Sequence, residues 1–191
     1  GLSYAEFTSG EGLGIMEANV VGPTMADDIK MSTVYALSLA IIAIFLYILM
    51  RFRKWQYSVG MIAASVHNVV IVCGVFALFH GILPFSMQID QTFVAAILTV
   101  IGYALNDNVI VFDRIREEIH NNPRKDVNTL ANVAINKTLG RTFNTSISTF
   151  IVILIVFLFG GDSLKGFMLA MGIGVIVGTY SSVFVATPVM L

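Results

Sequence analysis

The chain has 191 residues, 57% of them hydrophobic and only 12% charged, with a mean hydropathy of +0.84. Soluble domains carry about 25% charged residues, so this composition excludes an ordinary soluble globule, a disordered chain and a nucleic-acid binder with a basic surface. With 11 Lys+Arg against 12 Asp+Glu the net charge is −1, and the single cysteine, Cys73, excludes a disulfide framework or a cysteine-built metal site.

The first residue is Gly1 rather than Met, so the chain reads as a piece of a longer protein. Residues 1–30 combine a glycine-rich stretch, a short apolar run at 15–21 expected as one strand, and Pro23. Such a segment is too small to fold alone. It is expected to be the extracytoplasmic remnant of an upstream domain that at least one further helix precedes.

A bilayer core of about 30 Å takes about 20 apolar residues to cross as a helix. Five stretches meet this: 31–50, 58–79, 91–112, 142–159 and 166–190. Asp107 is the one charged residue within them. Spanning strands would be about 10 residues long with strict alternation, which these runs lack. The fold class is therefore an all-α polytopic membrane protein with five transmembrane helices. Residues 113–141 read as a cytoplasmic amphipathic loop: 113–122 continue the third helix along the inner membrane surface, with Arg114 and Glu118 an i,i+4 pair and Ile115 and Ile119 on one face, Pro123 ends that helix, and 129–139 form a second amphipathic segment leading into the fourth span. Alternating the loops between sides puts nine of the 11 basic residues together, namely Arg51, Arg53, Lys54, Arg114, Arg116, Arg124, Lys125, Lys137 and Arg141. Only Lys30 and Lys165 fall on the other side. The positive-inside bias makes the first side cytoplasmic, the N-terminus external and the C-terminus internal. Trp55 and Tyr57 fit an interfacial aromatic anchor.

The third span carries the chemistry. Taking Asp113 as its inner edge, Asp107 lies about 9 Å deeper. An ionised carboxylate there costs about 2.5–3.5 kcal/mol on insertion scales. It avoids that cost by holding a proton, pairing with a cation or facing water, all of which are properties of a proton carrier; the other reading is a satisfied structural polar residue at a helix crossing. Asn106 and Asn108 flank it and can hydrogen-bond water or neighbouring helices. Arg141, at the inner end of the fourth span, is either a partner for Asp107 or an ordinary snorkelling arginine. Thr145, Ser146, Ser148 and Thr149 either favour close helix packing or line a wet path. His67, beside Asn68 in the second span, is either a proton relay or a neutral packing residue. In the fifth span Gly172, Gly174 and Gly178 form a small-residue face with a GxxxG spacing. No phosphate loop, nucleophile–base pair or cluster of metal ligands is present, so no enzyme, metal or cofactor is expected.

The run Val100-Ile101-Gly102-Tyr103-Ala104-Leu105-Asn106-Asp107-Asn108-Val109-Ile110-Val111-Phe112-Asp113-Arg114-Ile115-Arg116-Glu117 strongly resembles the signature of SecF, or the SecF half of SecDF, of bacterial protein export. Val21-Gly22-Pro23, Arg141-Thr142 through Thr149, and Leu158-Phe159-Gly160-Gly161 also match, so the resemblance runs from about Val21 to the end. It implies an RND-type half of six helices, of which this chain holds helices two to six. In the family, the residues matching Asp107 and Arg141 belong to a proton pathway at the interface with the SecD half. Asn106, Asn108, His67 and Thr145 are candidate supporting polar residues. Many members have His-Asp where this chain has His67-Asn68, a departure that leaves no carboxylate at that position.

The implied function is that of an auxiliary subunit of the Sec translocase, coupling the proton-motive force to late preprotein export across the inner membrane. The implied partners are SecD (separate or fused), the SecYEG translocon, YajC, unfolded preprotein, protons and membrane lipids, with no nucleic acid. Two other readings share these features: an RND-type exporter of small molecules or lipids, and a passive translocon scaffold with a structural Asp107.

Overall fold

The computed structural model describes residues 23–191 apart from 84, 86 and 88, so the strand expected at 15–21 and the segment before Pro23 lie outside the described residues. The chain divides into two compact units, Gly1–Thr33 and Val34–Leu191. Of the first, the described part is the opening of a helix, α1 (Pro23–Phe52). The second holds the rest of α1, followed by α2 (Trp55–Phe79), α3 (Gln91–Asn121), α4 (Val127–Phe159) and α5 (Asp162–Ser181). A π-helical turn, Ser182–Ala186, then joins α5 to a short last helix, α6 (Thr187–Met190). Among the described residues, five helices are long and apolar enough to cross a membrane.

Helix boundaries follow local chemistry. α1 starts at Pro23, ahead of the apolar run that begins at 31, because residues 24–30 contain no Gly or Pro to break a helix and proline's fixed φ suits a first turn. It ends on a left-handed cap: Arg53 has φ 57° and its N–H reaches Leu49 O at 2.8 Å, a place that glycine would occupy with less strain. Asp90 caps α3 by accepting from Phe93 N at 2.8 Å, and Asp126 caps α4 by accepting from Thr129 N at 3.1 Å. The 113–141 segment is largely helical, with α3 continuing to Asn121 as expected and the amphipathic run at 129–139 forming the first turns of α4. α3 has 31 residues and α4 has 33, so each is longer than the about 20 needed to span, and only the short connection 122–126 separates them.

α3 and α5 form the most closely packed pair, because α5 presents glycines where α3 presents short side chains. A Cβ at Gly174 would collide with Val100, and one at Gly178 would sit 3.2 Å from Ala104 Cβ. The GxxxG spacing of α5 thus meets the i,i+4 pair Val100 and Ala104, and the backbones approach as small residues permit. α2 and α4 each pack against both members of this pair and at most marginally against each other, so they occupy opposite flanks. α1 buries little of its length, chiefly Ile48 and Phe52 near its end, and exposes Leu39, Leu46 and Met50 to the surroundings.

The buried residues form two clusters along the bundle. One, at the end where the basic residues gather, is built on Phe52, Tyr57, Met61, Phe112, Ile115 and Met190. Its aromatic rings interlock: Phe52 stacks on Tyr57 at 4.8 Å, and Phe112 meets Tyr57 edge-on at 5.3 Å. Tyr57, expected as an interfacial anchor, is instead 4% exposed within this cluster, and Trp55 alone keeps the exposed position. The other cluster, towards the opposite end, contains Phe76, Phe93, Ile97 and Ala170. The π-helical turn precedes Pro188, which has no N–H to offer Phe184 O and whose ring crowds that carbonyl. The chain widens there, and Thr187 Oγ1 donates to Ser182 O at 2.9 Å.

Beyond Phe112, α3 leaves the apolar run and its last turns carry Asp113, Arg114, Arg116, Glu117 and Glu118. Glu118 ties α3 to α4 there: Lys137 Nζ lies 2.7 Å and Arg114 Nη2 3.2 Å from its Oε1. The Lys137 hydrogen bond, foremost, and the charges of Lys137, Arg114 and Lys125 hold the Glu118 carboxyl below its usual range against partial desolvation. A carboxylate with a depressed folded-state pKa contributes stability above its unfolded value of about 4.3, and loses it as pH falls through the lower folded value.

Two predictions follow from this packing. Gly174→Ala drives a methyl into β-branched Val100, which cannot swing away, and should cost about 1–3 kcal/mol in thermal unfolding of the purified protein. Gly102→Ala, which meets open space on an exposed helical face, should be neutral or stabilising by up to about 1 kcal/mol. For the ion pair, the stability difference between wild type and Glu118→Gln should be largest near neutral pH and close as pH falls below the carboxylate range. A difference that grew on acidification would contradict the sign.

Candidate functional site

The α3 face that packs on α5 continues from Val100 and Ala104 to Asn108 and Val111, with Asp107 beside it. Helical geometry therefore carries Asp107 and Asn108 into the middle of the bundle, where they are 1% and 0% exposed. Asn106 lies on the opposite, exposed side. Asn108 Nδ2 donates to Ala104 O at 2.9 Å, one turn back, and its Oδ1 finds no partner from the protein. Asp107 Oδ2 is likewise buried without a partner.

The α4 flank supplies what the carboxylate does have. The Ser146 side chain and the charge of Arg141 both act on the Asp107 carboxyl. Ser146 shares a 2.5 Å bond with Thr179 of α5 and accepts from Tyr103 Oη at 3.5 Å. Arg141 itself is exposed and, among the described residues, makes no direct ion pair. Thr142, one turn before Ser146, is buried with its Oγ1 unpartnered. Thr145 is exposed and donates to Arg141 O at 3.1 Å and Thr142 O at 2.9 Å of its own helix. Ser148 and Thr149 bond back along the helix in the same way. Of the hydroxyl run, then, Ser146 faces Asp107 and Thr145 faces away. The signal for this was available in the spacing of Thr138, Thr142 and Ser146, an i,i+4 series that is the buried face of α4. A groove of about 430 Å³ between α4 and α5 has Thr142, Ser146 and Thr179 in its lining, with Phe143, Tyr180 and Phe184 around them.

The α2 flank supplies Asn68 and His67. Asn68 is 0% exposed and neither of its amide atoms has a protein partner. Its Nδ2 lies 3.8 Å from the point where a Cβ on Gly178 would be. His67 is half-buried, its ring 6.2 Å from that of Tyr180 and its Nδ1 unpartnered. The structure thus brings Asp107, Asn108, Ser146 and the charge of Arg141 together, with Asn68 on the other flank. It leaves Asn106 and Thr145 on the exposed surface and sets His67 against Tyr180. Among the described residues no three His, Cys, Asp or Glu side chains gather as a metal site would require. A carboxyl buried among packed helices, with one hydroxyl and one nearby cation, is suited to gaining and losing a proton and to changing its hold on that cation as it does so.

The fold and site define a multi-pass membrane protein with an ionisable group in the packed centre of its helices. Comparison with known proteins makes this particular. The family described as "Protein export membrane protein SecD/SecF, C-terminal" matches residues 5–191. The chain is 48% identical over 177 residues to the protein translocase subunit SecF of Rhodothermus marinus, covering 93% of this chain and 57% of that one. It is 39% identical over 173 residues to the protein translocase subunit SecDF of Brucella abortus, covering 91% of this chain and 22% of that one. The crystal structure of SecDF from Thermus thermophilus, described as a translocon-associated membrane protein, superposes with a TM-score of 0.78 at 38% identity, over 88% of this chain and 22% of that one. The chain belongs to the SecD/SecF family, and within it to SecF or the SecF half of SecDF. It spans about half the length of the SecF relatives it matches and about a fifth of the SecDF chains.

Proposed function

We propose that this chain is the membrane part of an auxiliary, non-enzymatic subunit of the Sec protein translocase, and that it couples the proton-motive force to late stages of preprotein export. The observation that carries the reading is Asp107: a carboxyl 1% exposed in the centre of the bundle, met by Ser146 and acted on by Arg141. An ionised Asp107 is held by the arginine's charge; a protonated one is released from it. Protonation therefore changes the attraction between α3 and α4, and the helices repack against the SecD half. One charge crossing 100 mV yields about 2.3 kcal/mol, enough to shift a two-state equilibrium about 50-fold.

The exposed polar residues support a SecD half as partner. Asn106, Arg141 and Thr145 stand outside the packed bundle, and polar groups within a membrane are satisfied by protein or water rather than by lipid tails. The basic cluster around Arg51, Arg114, Arg124 and Lys137 favours a bacterial inner-membrane placement with that end cytoplasmic, so that the chain begins on the periplasmic side and ends inside. The segment before α1 then belongs to a periplasmic domain, and SecYEG, YajC and the emerging preprotein are the partners beyond SecD.

In the full-length assembly, Asp107→Asn should abolish stimulation of preprotein export by the proton-motive force while the subunit still inserts to wild-type levels. Undiminished stimulation in that variant would contradict the proposal.

A further inference from the structure

Buried polar atoms in folded proteins nearly always have partners, and each one left alone is destabilising. Three such atoms belong to residues of α2 and α3: both amide atoms of Asn68 and Oδ1 of Asn108. Both residues are 0% exposed, so neither reaches bulk solvent. Both are tied to the crossing of α3 with Gly178 of α5. Asn68 Nδ2 and Ala104 Cβ both flank the missing side chain of Gly178, and Asn108 is bonded to the carbonyl of that same Ala104. A water molecule is held inside a protein where two to four polar groups surround a space large enough for it. One donor and two acceptors, around a helix crossing that carries no side chain at Gly178, meet the chemical part of that requirement.

We propose that Asn68, Asn108 and the bare backbone at Gly178 form an internal water-binding site between α2, α3 and α5. The site adjoins Asp107, which is next to Asn108 in the chain and has its own unpartnered Oδ2. It hydrates the carboxyl's surroundings from the flank opposite Arg141, since α2 and α4 pack on opposite sides of the α3–α5 pair. Asp107 then has two distinct approaches: through Ser146 and Thr142 beside Arg141, and through the Asn68 water. A proton arriving by one and leaving by the other crosses the bundle centre without the two routes joining. This use of the water rests on the proton-coupling reading above; the water site itself does not. An asparagine suits the place because its amide offers both a donor and an acceptor without adding a second buried charge.

The test is water-edited solid-state NMR of the full-length protein in lipid bilayers, with labelled asparagine. The side-chain amides of Asn68 and Asn108 should receive magnetisation from water as quickly as that of Asn122, at the end of α3. Transfer as slow as that to the buried backbone amide of Val72 would overturn the site. Asn68→Leu, which keeps the branched outline of asparagine but is apolar and larger, should remove the water signal at Asn108, and Asn68→Ser should retain it; a signal at Asn108 that survives Asn68→Leu would also overturn it. These measurements require no proton gradient, so they stand or fall separately from the export assay on Asp107→Asn. In that assay Asn68→Leu should lose most of the proton-driven stimulation and Asn68→Ser should keep it. Full stimulation in Asn68→Leu would overturn the second approach.

Discussion

The close crossing of α3 and α5 is the constraint from which the rest of the bundle follows. Gly174 lies against Val100 and Gly178 against Ala104, leaving no room for a methyl at the first contact and little at the second. Between apolar helices in lipid there is no hydrophobic gain in association, because lipid tails are as apolar as the side chains they replace. What remains is dispersion between closely fitted surfaces, and glycine is what lets two backbones come near enough to gain it. The same α3 face that carries Val100 and Ala104 carries Asn108 one turn further on, with Asp107 adjacent. Fixing the crossing therefore fixes the depth and burial of the carboxyl.

With α3 and α5 held together, α2 and α4 are left to cover the two flanks, and they bring different chemistry. α4 brings Ser146, Thr142 and the charge of Arg141; α2 brings a neutral amide, Asn68. A buried carboxyl with a cation on one side only is an asymmetric site. Its charged form is attracted towards one helix and its neutral form is not, which in the proposed function is how a proton is converted into a change in helix–helix attraction. Bundles packed to near-crystalline density do not deform continuously, and a local change of this kind moves whole elements between discrete arrangements.

Much of this was legible in the sequence, for reasons that differ residue by residue. The five spans were legible because length and hydropathy alone decide whether a helix can cross lipid, and Asp107 was legible because it is the one charge inside them. The signature around Asp107 placed the chain in its family. The start of α1 at Pro23 was missed because polar residues 24–30 carry no apolar periodicity, while nothing in them breaks a helix. The continuation of α3 beyond the membrane edge was legible from the Arg114–Glu118 pair, the shared face of Ile115 and Ile119 and the stop at Pro123, and α3 does run on to Asn121. Tyr57 was assigned to the interface by its residue type, whereas the pocket formed by Phe52 and Phe112 decides where its ring goes. Thr145 and Ser146 were indistinguishable by chemistry, and only the phase of the α4 helix separates them. The π-helical turn has a local cue in Pro188, but the close approach of its end to Gly60 of α2, where a Cβ would meet Ala186 O at 2.5 Å, has none. No local pattern encodes such a contact.

The central claim is that Asp107 exchanges protons as part of a carrier rather than standing as a structural polar group at a helix crossing. Proton flux into sealed vesicles that contain the full-length complex with its SecD half tests it most directly, with a membrane potential imposed and preprotein engaged. The account predicts flux in the wild-type complex and none above the leak of empty vesicles in Asp107→Asn at equal protein content. Equal flux in the two would contradict it and leave Asp107 a packing residue.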